Sequence, residues 1–245
     1  MTSVSVQRRN DSGFGTDFES LSAPEIMDWA FKEFGSKIAI ACSFQAESSV
    51  IIDMAHKLCG PKFRVFTLDT GRLHEETYEC IDAIRKRYGI EVEVFFPDAV
   101  SVEGMVRRHG LNLFYESTEL RRLCCAIRKV EPLKRALEGL AAWMTGLRRE
   151  QAVTRTGIGK VEFDRDHGGI YKVNPLADWT QDQVWNYIRR HNVPYNRLHD
   201  RGYPSIGCAP CTRAVQPGED ARAGRWWWER PENRECGLHH GNGRR

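Results

Sequence analysis

The chain is short of everything that would tie it to a membrane. No stretch of its 245 residues approaches the roughly 18 consecutive apolar residues of a spanning helix. Residues 1–20 are polar and carry no apolar run of signal-peptide length, so a cytoplasmic protein with no membrane partner is expected. One-sided charge is missing too. Lys and Arg number 36 against 33 Asp and Glu, a formal net charge of +3, too small to argue for nucleic acid. There is no glycine-rich loop ending in Lys-Ser or Lys-Thr, which removes the standard nucleotide-phosphate cradle. Internal repeats and low-complexity tracts are also absent. The composition, 41% hydrophobic and 28% charged, is that of a globular domain with a sizeable core.

Cysteine is the residue present in excess of need. Five of the eight fall into a pattern: adjacent Cys124-Cys125, then Cys208-Ala209-Pro210-Cys211, then a lone Cys236 within Glu235-Cys236-Gly237-Leu238-His239. In a reducing compartment structural disulfides are rare, and paired cysteines are metal ligands or catalytic groups. Four thiolates suit tetrahedral zinc or a 4Fe–4S cluster. Adjacent cysteines are unusual for structural zinc, whose ligand pairs are spaced two to four residues apart. Arg121, Arg122, Arg128 and Lys129 flank the first pair and would offset the negative charge of four thiolates. Cys236 stands apart, beside Arg234 and near His239 and His240. Neighbouring cations lower a thiol's pKa, which suits a nucleophile. Cys42, Cys59 and Cys80 lie in apolar patterns and are expected in the core.

Strand and helix patterns alternate. Apolar runs at 37–42, 63–68, 91–96 and 141–145 are expected strands. Helices are expected from Ser22, whose spacing to Glu25 makes a capping box, to Gly35; from the 43–47 turn to Gly60; over 74–88; from Cys125 to about Glu138; and over 180–191 with Thr180 as N-cap. Residues 161–169 read as a polar loop or hairpin. This order predicts a doubly wound, mostly parallel α/β sheet covered on both faces. The division expected is a flexible arm over 1–20, an α/β domain over 21–211 and a mobile C-terminal tail over 212–245. Arg222, Arg225 and Trp226-Trp227-Trp228 lie on that tail, and three adjacent tryptophans need a surface to pack on.

Ligands of such sheets bind beyond the carboxyl ends of the strands. Two loops are placed there. Ser43-Phe44-Gln45-Ala46-Glu47-Ser48-Ser49 opens a helix, whose amides and hydroxyls suit an anion. Leu68-Asp69-Thr70-Gly71-Arg72 offers a glycine and an arginine. Arg148-Arg149 and Arg155 follow a further strand end, Arg149 being the one expected to be a solvated surface charge.

Taken together, these motifs resemble the assimilatory adenylyl-sulfate reductases of the PAPS/APS reductase family. The likeness runs over 38–239. It rests on the Leu68–Arg72 motif, Cys124-Cys125-x-x-Arg128-Lys129, Gly146-x-Arg148-Arg149-x-Gln151, Gly207-Cys208-x-x-Cys211-Thr212, Gly224-Arg225-Trp226-Trp227-Trp228 and Glu235-Cys236-Gly237-Leu238-His239. It implies an adenine nucleotide α-hydrolase-like fold and reduction of adenosine 5′-phosphosulfate (APS) to sulfite and AMP, in sulfate assimilation and cysteine biosynthesis. It further implies thioredoxin as electron donor and an S-sulfocysteine intermediate on Cys236. Cys124, Cys125, Cys208 and Cys211 would ligate a 4Fe–4S cluster. Ser43, Arg72, Lys129, Arg155, Arg222, Arg225 and His239 are the expected substrate-binding residues. The resemblance leaves room for a homo-oligomer. The chain departs from the family's more glycine-rich, acidic loop at 43–48. Three alternatives stand beside this reading: a phosphoadenylyl-sulfate (PAPS) reductase of the same mechanism, a tRNA-thiolating relative of the same fold, and a non-catalytic metal sensor that would not need Cys236.

Overall fold

The computed structural model describes residues 14–230. Cys236 and His239, the expected nucleophile and its neighbour, lie outside the described residues.

Six strands form one sheet. They are β1 (Ile38–Ala41), β2 (Arg64–Leu68), β3 (Glu93–Phe95), β4 (Ala142–Met144), β5 (Val161–Asp164) and β6 (Ile170–Val173), in the order β3-β2-β1-β4-β6-β5. All neighbours run parallel except β5, which pairs antiparallel with β6. The expected 161–169 stretch is the start of a hairpin over 161–173, whose second strand, β6, joins the main sheet against β4.

The period-2 alternation of the strands separates two cores. Ile38, Ile40, Val65, Ala142 and Met144 face α1 (Ala23–Phe34), α2 (Ala46–Cys59), α3 (Glu75–Tyr88) and α7 (Gln181–His191). Ala39, Phe66 and Trp143 face the other way, onto Leu133, Ala136 and Leu137 of α6 (Glu131–Leu137). Helix starts follow the sequence signals. The Ser22/Glu25 and Thr180/Gln183 boxes cap α1 and α7, and Gly89 ends α3 in the left-handed region.

Two elements exceed the sequence pattern. α4 (Ala99–His109) has one fully buried side chain, Met105, so its apolar periodicity is faint. The helix expected after Cys125 begins earlier, as α5 (Thr118–Cys125), and continues through a π turn over Ala126–Val130 into α6. The two adjacent cysteines thus end an α-helix at a widened turn, a feature concentrated at functional sites.

Residues 14–20 and 212–230, expected as arm and tail, pack on the body. Phe18 is buried and Phe14 stacks edge-on to Trp29 at 5.1 Å. Thr212 bridges antiparallel to Arg225, and Trp226 is 1% exposed. Among the described residues, no helix is long and apolar enough to cross a membrane.

Candidate active site

The strand order sets the site. The chain moves outward from β1 through β2 to β3, then returns to place β4 on the other side of β1. The carboxyl ends of β1 and β4 therefore flank the crevice where doubly wound sheets bind ligands. A cavity of about 250 Å³ opens there. Ala41 ends β1 at its edge, Cys42 and Ser43 follow it in, Thr70 comes from the loop after β2, and Thr145, Gly146 and Arg148 come from the loop after β4. Gly146 permits the convergence: a Cβ at this position would stand 2.9 Å from the Glu47 Cβ.

The turn from β1 into α2 is strained. Phe44 takes φ +53 while fully buried, a left-handed conformation that a bulky residue rarely adopts. Its neighbours are held by side chains. Ser43 and Ser48 hydroxyls lie 3.1 Å apart, and Gln45 Oε1 accepts from the Ile206 amide at 2.9 Å. Across the cavity, Arg148 donates to Glu47 at 2.9 Å and to Glu150 at 2.9 Å. Gln151 joins Glu47 to Arg155 by bonds of 2.9 and 2.6 Å.

Lys129, Arg148, Arg155, Arg222 and Arg225 line this cavity against the carboxylates of Glu47 and Glu150. Such a surplus of cation in a concave, partly desolvated space favours an anionic ligand. Arg225 lies across the chain at Gly207, where a Cβ would come 2.6 Å from its Cζ, so any larger residue there must displace the guanidinium. The guanidinium donates to Ser205 Oγ at 3.2 Å and packs 4.6 Å from the Trp226 ring centre.

Ser43, Lys129, Arg155, Arg222 and Arg225 thus meet in one cavity, whereas Arg72 does not face it. Arg72 donates to the Leu111 carbonyl and to Asn112 Oδ1, and packs on Phe114. Its loop serves the cysteines instead. Thr70 Oγ1 stands 3.3 Å from Cys208 Sγ, the Ala209 amide donates to the Arg72 carbonyl at 2.8 Å, and Arg128 donates to the Thr70 carbonyl at 2.7 Å. Arg148 is buried in ion pairs, and Arg149 is no free surface charge: it donates to the Ile158 carbonyl and to Glu19. Cys42 and Cys80 are buried, Cys59 half-buried.

A second, small cavity adjoins the first and shares Lys129 and Cys208 with it. Cys124, Cys125, Cys208 and Cys211 all line it, with Arg121, Arg128 and Trp226. Burial pushes the Cys211 thiol up to about 12 and raises Cys124 against the lowering effect of Arg128. Among the described residues no three Cys, His, Asp or Glu side chains converge as ligands of a single ion. Trp226 lines this cavity, and among the described residues its buried indole N–H has no hydrogen-bond partner.

The strap over 212–230 closes the cysteine cavity and was not legible as structure in the sequence. Arg121 and Glu229 form a two-bond ion pair at 2.9 and 2.8 Å, with side chains 2% and 4% exposed. Trp226, at φ +43, has Arg121 on its ring at 4.8 Å, and Trp228 donates to the Phe114 carbonyl. The one available signal was Glu229 itself, a carboxylate directly after three tryptophans.

The site belongs to a doubly wound α/β protein that places an anion cavity beside four clustered cysteines. A family model described as the phosphoadenosine phosphosulfate reductase domain matches residues 37–214. The chain is 51% identical over 218 residues to an adenosine 5′-phosphosulfate reductase of Allochromatium vinosum, covering 89% of this chain and 84% of that one. It is 55% identical over 203 residues to the Burkholderia cepacia protein of the same name, covering 83% and 80%. The crystal structure of phosphoadenylyl-sulfate (PAPS) reductase from Candida auris, a phosphate complex, superposes with a TM-score of 0.69 at 31% identity, over 81% of this chain and 93% of that one. The chain belongs to the phosphoadenosine phosphosulfate reductase domain family, alongside relatives named adenosine 5′-phosphosulfate reductase.

Proposed function

We propose that the protein is an oxidoreductase that reduces APS to sulfite and AMP in sulfate assimilation, with thioredoxin as electron donor. The observation carrying this reading is the pair of adjoining cavities: a cationic one at the strand ends, and beside it one lined by four cysteines, with Lys129 common to both. Two relatives at about half identity, both named APS reductase, supply the substrate.

The chemistry follows from the residues. The adenylyl group occupies the strand-end cavity, its phosphate against the 43–48 turn and the cations. The Cys236 thiolate attacks the sulfur of APS. The S–O bond to the phosphate breaks, and AMP leaves with the electron pair. Lys129, Arg155, Arg222 and Arg225 stabilise the charge developing on the leaving phosphate. Cys236 now carries a sulfonate as S-sulfocysteine. A thioredoxin thiolate attacks the Cys236 sulfur and expels sulfite, leaving a mixed disulfide. The second thioredoxin thiol resolves it, so two electrons pass from the dithiol and Cys236 is regenerated. Cys124, Cys125, Cys208 and Cys211 would hold a 4Fe–4S cluster, which when bound supplies fixed charge beside the substrate and ties α5 to the 208–211 loop. The fit is supported by the four-cysteine cavity, its cations and the unpartnered Trp226 donor. A cytoplasmic location completes the proposal.

Anaerobically purified protein tests it. Sulfite release from APS, with about four irons and acid-labile sulfide per chain, is the expected result. Release from PAPS in preference to APS would favour the second reading, for which the Candida auris likeness speaks. Stoichiometric zinc, or no turnover of either substrate, would overturn the assignment.

A further inference from the structure

His199 lies outside the set of cations just described, yet it touches the turn that meets the substrate. Its Nε2 accepts a hydrogen bond from the Ala46 amide at 3.3 Å, across 153 residues of chain. Ala46 is the first residue of α2, and the first amides of a helix have no partner within it. The residue that should cap them, Gln45, makes no side-chain capping bond. Its amide group is engaged elsewhere, accepting from Ile206 and donating to Ser43 Oγ at 3.3 Å. A capping contact has thus passed to a histidine from the far end of the domain.

The ring is held for that task. It stands edge-on to Trp185 of α7 at 5.3 Å. A ring nitrogen that accepts from an amide carries no proton, so a ring capping α2 in this way is neutral. Burial keeps the imidazole pKa below its ordinary value, against the opposing pull of Glu47 on α2, the Tyr203 backbone and Asp200 on its own turn. A protonated ring would turn a second N–H against the Ala46 N–H and release the start of α2.

We propose that His199 is a positioning residue: as a neutral imidazole it caps α2 from outside and holds the 43–48 turn in its anion-binding shape. The inference rests on the reading that this cavity takes the adenylyl substrate. Its effect should appear in substrate affinity and not in the chemical step, since His199 reaches no reacting atom.

The test is steady-state APS reduction from about pH 5.5 to 8, a range that spans the histidine transition. His199→Ala should raise KM about five-fold, the size of a lost helix cap, with kcat within about two-fold. Wild-type KM should climb only as pH falls through a folded pKa that lies below the ordinary histidine value, whereas His199→Ala should lack that climb. His199→Gln, which restores an acceptor without a proton to gain, should return KM toward wild type and stay flat with pH. A wild-type KM in His199→Ala, or an acid climb that persists in it, overturns the inference. If wild-type protein fails to turn over APS, the functional reading fails, and imidazole NMR still decides the inference. A neutral ring at pH 7 that accepts through Nε2, and shifts when AMP is added, supports it. A charged ring at pH 7 sinks it.

Discussion

Replacing Glu229 with alanine removes one half of the ion pair that binds the 226–229 segment to α5. Both partners are almost wholly desolvated, with side chains 2% and 4% exposed, and two charge-assisted bonds of 2.9 and 2.8 Å join them. An exposed pair of the same geometry would be worth at most about 1 kcal/mol. Here the substitution leaves the Arg121 guanidinium buried without its carboxylate, which costs about 3–5 kcal/mol. In a domain of this size 1 kcal/mol moves Tm by about 2–4 °C, so a fall on the order of 6–20 °C is expected. Differential scanning calorimetry measures it. The strap also carries Arg222 and Arg225 to the cavity, so KM for APS should rise with the loss. Arg121→Met combined with Glu229→Leu should recover most of the stability, because an apolar pair removes the desolvation problem with the charge. A fall below about 2 °C in Glu229→Ala, equivalent to less than about 1 kcal/mol, would refute the claim that this pair clamps the strap.

Three further outcomes follow. Gly207→Ala puts a methyl into the space of the Arg225 guanidinium, 2.6 Å from Cζ, and should destabilise by about 1–3 kcal/mol in urea titration while raising KM for APS. Cys208→Ser should lose iron and acid-labile sulfide together, whereas Cys236→Ser should keep both and stop sulfite release; elemental and sulfide analysis of the two separates the roles. Asp53 sits buried on α2, where desolvation alone would raise its pKa, but bonds from Lys57, Tyr187 and Tyr88 outweigh this and hold it low. A carboxyl lowered by folding stabilises above its unfolded pKa and loses that contribution as pH falls through its folded value. Asp53→Asn should therefore cost most Tm near pH 7, with the gap to wild type narrowing below about pH 4; a gap independent of pH would contradict it.

Where local chemistry decides an element, the sequence already displayed it. The Ser22/Glu25 box starts α1, the Thr180/Gln183 box starts α7, and short apolar runs became β1, β2 and β4. The strand order then delivered Ser43 and Arg155 to one crevice, as expected of strand-end loops. What escaped reading depends on distant partners. α4 buries little, so its periodicity is weak. The strap has no periodicity at all, being fixed by Arg121 to Glu229 and Trp228 to Phe114, contacts over 100 residues apart in sequence. Arg72 resembled an anion ligand because it follows a strand end, but the Leu111 carbonyl and Asn112, nearly forty residues on, claim its guanidinium. His199 carries no motif, and only the folded turn after β1 gives it a role.

The proposed reaction passes through a covalent intermediate at one cysteine, Cys236. Protein incubated anaerobically with APS and no thioredoxin, then digested and mass-analysed, should carry one sulfonate on the peptide containing Cys236 and release it as sulfite when thioredoxin is added. A sulfonate on any other cysteine, or none while AMP is still formed, would contradict it.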